Sequence, residues 1–95
     1  MSRAITTEEA TTEFLTRVKQ LAKYWASQGK SVEDACDGVA FSILSLMDGS
    51  QLNFPAVDLV LCPDETDKEY SKEEGENWYE ESRISTTLHE EYCNL

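Results

Sequence analysis

Apolar residues recur at steps of three and four over residues 7–28. Phe14, Val18, Leu21 and Trp25 form the central stripe, and Leu15, Ala22 and Ala26 widen it. That period sets them on one face of an amphipathic helix. Thr6 or Thr7 can cap its start, with Glu8 and Glu9 at the positive end of its dipole. Lys19, Lys23 and Lys30 lie toward the negative end, and Gly29 is suited to stop it. A second helix is predicted over 32–47, capped by Ser31, with Val32, Cys36, Val39, Ile43 and Leu46 or Met47 on its buried face. It is the more apolar of the two, because Ala35, Ala40 and Leu44 broaden that face. Gly38 inside it costs about 1 kcal/mol relative to alanine. Close approach of the first helix at Ala22 or Ala26 is the expected compensation. The short link at 28–30 makes the two helices antiparallel neighbours.

The period then changes. Residues 56–62, Ala-Val-Asp-Leu-Val-Leu-Cys, are rich in β-branched and leucine residues and are bounded by Pro55 and Pro63, which predicts a strand. Asp64 can cap a short polar helix over 65–74 that Gly75 ends. Trp78 and Tyr79 follow as an isolated aromatic pair. A second strand is expected around 82–85 and a last helical turn or strand over 88–93. The expected fold is therefore α+β: a single domain over 1–95 in which two antiparallel N-terminal helices pack on a small antiparallel sheet. An acidic C-terminal segment lies to one side, and residues 1–6 and 86–95 are expected to be flexible.

Charge sharpens this picture. The 95 residues carry 8 basic and 19 acidic side chains, a net charge of -11. Residues 1–30 are net +2, residues 31–62 net −5 and residues 63–95 net −8. Phosphates would be repelled, which argues against direct binding of nucleic acid or an anionic membrane and favours a positively charged partner. The acids crowd around the aromatic pair. Asp67, Glu69, Glu73, Glu74, Glu76 and Glu80, with Trp78 and Tyr79 as anchors, form the expected docking surface for lysine or arginine on a partner protein. In a sharper version the carboxylates stand in for phosphates in the basic groove of a nucleic-acid-handling protein. The plainer alternative is a solvated acidic surface with Trp78 plugging the core beside the strand.

Other chemistry is thinly represented. Cys36, Cys62 and Cys93 are odd in number and widely spaced, a poor disulfide framework. His89 and Cys93 lie four apart, so a helix would put them on one face, and Cys36 and Cys62 could complete a zinc site. The spacing nevertheless lacks any Cys-x2-Cys pair. Asp64, Asp67 and Glu69 could collect calcium, without an EF-hand loop to shape the site. No G-x-S-x-G, H-E-x-x-H, P-loop or G-x-G-x-x-G pattern occurs, so no catalytic residue and no cofactor is expected. The N-terminal residues show no apolar run typical of a secretory leader, and no stretch approaches the roughly 20 apolar residues of a membrane span. A reduced, cytoplasmic setting is the expectation. The apolar stripe containing Phe14, Trp25 and Met47 is most simply core, and part of it could instead be a homodimer seam.

The strings Gly38-Val39-Ala40-Phe41-Ser42-Ile43-Leu44, Asp48-Gly49, Asp67-Lys68-Glu69-Tyr70 and Gly75-Glu76-Asn77-Trp78-Tyr79 resemble small uncharacterised acidic proteins of bacteriophages and bacterial prophages, over residues 10–80. The resemblance implies a bacterial host cytoplasm and an accessory role, such as inhibiting a host nucleic-acid-handling or defence protein. A metal-binding or catalytic domain and a structural subunit of a homo-oligomer are the competing expectations.

Overall fold

The structure is a computed structural model and describes residues 2–84 and 87–95. Helix α1 spans Thr7–Ala26. Thr6 opens it with a reciprocal cap: its hydroxyl accepts the Glu9 N–H at 3.1 Å, and the Glu9 carboxylate accepts the Thr6 N–H at 3.0 Å. Arg3 grips the same carboxylate at 2.7 Å. With Arg3 first and Thr6 second, these contacts lower the Glu9 pKa to about 2. The helix ends at Ala26, short of the expected residue 28: Ser27 shares its N–H with the Tyr24 carbonyl, the Gln28 N–H turns to Trp25 three residues back at 3.3 Å, and Gly29 takes the left-handed conformation at φ 69°. Helix α2 spans Val32–Met47 and is capped by Ser31, whose hydroxyl accepts the Asp34 N–H at 3.1 Å.

The two helices pack against each other as the short link requires. Trp25 lies at the centre of the contact. Its indole N–H donates to the Ser42 hydroxyl at 2.9 Å, and its ring fills the space over Gly38. A methyl group at Gly38 would sit 2.5 Å from the ring, so the glycine accommodates Trp25 itself rather than Ala22 or Ala26.

After α2 the chain folds back along α1. The Val57 N–H donates to the Met47 carbonyl at 2.7 Å, and Gly49 lets Ala56 approach closely, since a Cβ there would meet it at 3.0 Å. Arg17 donates to the Leu52 carbonyl at 2.9 Å and lies over the Phe54 ring, which packs against Phe14. These bonds remove residues 56–57 from sheet pairing. The expected strand over 56–62 is consequently only β1, Val60–Leu61. It pairs antiparallel with β2, Ser82–Arg83, in the register Val60 to Arg83 and Leu61 to Ser82. Arg83 pairs with Asp58 beside the ladder. Ser85, placed at the end of the expected second strand, lies outside the described residues.

Helix α3 spans Glu65–Glu73 and α4 spans Leu88–Cys93. The architecture is α+β, but the two long helices pack on each other and α4 packs on α2. Among the described residues no helix lies on the β1–β2 ladder. The expected layer of helices on a sheet is absent there because two-residue strands offer too little apolar surface to hold one. Leu46 is the one fully buried hydrophobic side chain among the described residues. The molecule extends 49 × 46 × 19 Å with a radius of gyration of 17.5 Å, well above the roughly 13 Å of a compact chain of this size. No helix among the described residues is long and apolar enough to cross a membrane.

Candidate interaction surface

The acidic segment is built as a helix with a strap laid back along it. The Asp64 carboxylate caps α3 by accepting the Thr66 N–H at 2.7 Å. At the other end Gly75 adopts φ 71°, the left-handed conformation. The Glu76 N–H then returns to the Ser71 carbonyl at 2.8 Å, and the Gly75 N–H to that of Lys72 at 3.3 Å. This paired closure reverses the chain.

The reversal brings Trp78 and Glu80 onto the lysine side of α3. Lys72 sits 4.7 Å from the Trp78 ring centroid, a cation–π contact. The Trp78 indole N–H donates to Glu80 Oε1 at 2.7 Å, while Lys68 Nζ donates to Glu80 Oε2 at 2.8 Å. The Lys68 hydrogen bond, then that from Trp78, lowers the Glu80 pKa, and Glu80 in turn raises that of Lys68. Lys68 also lies 3.6 Å from Glu65.

The residues expected to meet a partner therefore divide into two groups. Trp78 and Glu80 fasten the strap to α3, and Trp78 remains 43% exposed. Tyr79 is the freer anchor at 74% exposed. Asp67, Glu69, Glu73, Glu74 and Glu76 are exposed, and among the described residues no basic side chain pairs with them. Tyr70, 62% exposed, was not foreseen as part of this surface. Nor was the row Glu65, Glu69 and Glu73, which one-turn spacing aligns on one side of α3. That spacing is legible in the sequence once the helix is granted.

A second acidic feature lies elsewhere. A cleft of about 580 Å³ is walled by Trp25, Phe41 and Tyr92 and carries the carboxylates of Asp34 and Asp37. The Tyr92 hydroxyl donates to Asp37, and this bond raises the tyrosine pKa. No sequence pattern points to this cleft, because α4 reaches α2 only through the fold.

His89 and Cys93 do share a helix, but His89 is occupied otherwise. Its backbone N–H donates to Asp48 Oδ2 at 2.8 Å, and its Nδ1 lies 2.5 Å from the same oxygen. Burial alone would raise the Asp48 pKa; the backbone and ring of His89 and the Leu88 N–H outweigh it and lower the value. Cys36 on α2, Cys62 after β1 and Cys93 on α4 are separate exposed thiols. Among the described residues no three His, Cys, Asp or Glu side chains are grouped to hold a metal ion. In comparisons with protein-family models, curated proteins and solved structures, the chain matched none.

Proposed function

We propose that the chain is a protein-interaction module that engages a basic surface through α3 and its strap. One observation carries this reading: the carboxylates of Asp67, Glu69, Glu73, Glu74 and Glu76 stand exposed, no basic side chain among the described residues pairs with them, and Tyr70 and Tyr79 of the same segment are open. The arrangement runs against the helix's own stability. Like charges one turn apart repel, and Glu73 and Glu74 sit at the negative end of the α3 dipole. A cationic partner relieves both penalties. The tyrosines supply apolar contact at its centre, and the charges accelerate encounter. The cleft between Trp25, Phe41 and Tyr92, with Asp34 and Asp37, has walls suited to a lysine or arginine side chain and offers the same partner a second contact.

Within this reading the partner is a nucleic-acid-handling or defence protein of a bacterial host, whose phosphate-binding groove the carboxylates occupy. The resemblance to small phage proteins supports that setting. Titration with an arginine- and lysine-rich peptide tests the site. Changing Glu69, Glu73, Glu74 and Glu76 together to Gln is expected to weaken binding at least tenfold. Changing Glu8, Glu13, Glu90 and Glu91, which lie outside both α3 and the cleft, to Gln should weaken it much less. Equal losses from both sets would mean that the peptide senses net charge alone, and the α3 surface would then have no special role.

A further inference from the structure

We infer that a second copy of this chain covers the outer face of the α1–α2 hairpin. The chain exposes 7646 Å², against roughly 5,500 Å² for a compact monomer of its mass. The excess is about 2,000 Å² per chain. That excess is spread over the extended chain, α3 included; a share of about 800 Å² per copy on the hairpin face would already make an interface of standard size.

The hairpin supplies the surface. Val32, Cys36, Val39 and Ile43 run along one side of α2 at helical steps, facing the small residues Ala22 and Ala26 of α1. Val32 is 82% exposed, and Leu15 continues the α1 side with more than half its surface open. The shallow groove between the helices has a volume of about 490 Å³, and alanines along it let another helix approach closely. Charge on its margins favours a copy of the same chain. Lys19 precedes Ala22 and Ala26 by three and seven residues, so it flanks the groove on α1; Glu33 precedes Cys36 and Ala40 by the same intervals and flanks it on α2. A two-fold arrangement that lays α1 of one copy on α2 of the other brings the lysine margin of each copy over the glutamate margin of the other. Such a pairing closes on itself, as a two-fold interface must, and forms a four-helix bundle.

The inference is independent of the α3 surface. Sedimentation of the full chain tests it together with thermal unfolding across a hundredfold range of concentration. The expected mass is twice 10.8 kDa, with a melting temperature that rises with concentration. Cys36→Glu, at an exposed position, should weaken association at least a hundredfold while helix content is retained. A chain that sediments as a monomer up to several hundred micromolar overturns the inference, as does a dimer that Cys36→Glu leaves intact. The four Gln substitutions in and just after α3 should leave the dimer in place, which separates this result from the proposed docking function.

Discussion

A methyl group added at Gly38 would strike the fused bond of the Trp25 indole, the stiffest part of the ring, at 2.5 to 2.7 Å. The indole cannot slide away freely, because its N–H is held by Ser42. Overpacking of this kind costs about 1–3 kcal/mol. Alanine's better helix propensity returns about 1 kcal/mol. Gly38→Ala should therefore be destabilising, lowering the denaturant midpoint with little change in slope. A more stable alanine variant would show that the ring yields and that Gly38 is not a packing requirement. At this scale the sequence was partly legible. Gly38 in the middle of an apolar helix called for a close neighbour, and one exists. Which residue fills the space depends on the rotation of α1 about its axis, and the three- and four-residue spacing of its apolar positions leaves that rotation loose by about one residue. Trp78 was less legible. Its roles as exposed anchor or core plug beside the strand differ only in where Gly75 turns the chain, and the structure leaves it 43% exposed, over Lys72 and bonded to Glu80.

Helices were the most legible elements, because local residues create their ends. Thr6, Ser31 and Asp64 cap the first three helices, and Gly75 closes α3. Helix α4 is different. Its own cap residue, Thr87, makes no side-chain cap bond to the helix backbone. The Asp48 carboxylate at the end of α2 does that work, accepting the His89 N–H and ring while only 3% of its side chain is exposed. A cap supplied by a residue so distant along the chain leaves no local signature, so α4 could not be told from a strand beforehand. Asp48→Ala leaves those donors unmet, a loss of about 1–3 kcal/mol. Amide exchange in residues 88–93 should then speed at least tenfold, while α1 stays protected. Acid should produce the same release. The Asp48 carboxyl is held below its ordinary 3.8, so its contribution is complete above that pH and fades as pH falls toward the lower folded-state value. Loss of α4 protection already at neutral pH would show that some other group holds the helix. The strand was overdrawn for a related reason: its composition was right, but the Val57 N–H was already bonded to Met47.

At the scale of the whole molecule, one charge distribution makes opposite demands. Of the 8 basic side chains, Arg3, Arg17, Lys68 and Arg83 are in ion pairs. These pairs lie near the surface, where such contacts add little to stability. The remaining imbalance repels itself, both within one chain and between two copies brought together. Added salt screens interactions beyond roughly 10 Å at 0.1 M. It should therefore relieve the repulsion more than it weakens the short surface pairs. The melting temperature and the self-association constant should both rise between 20 and 300 mM sodium chloride. Affinity for an arginine- and lysine-rich peptide should fall across the same range, because that attraction is screened too. Opposite slopes in one salt series would assign the α1–α2 face and the α3 surface to different physical forces. A melting temperature that falls with salt would instead mean that the ion pairs outweigh the repulsion, and the exposed acids would then need no cationic partner to explain their tolerance.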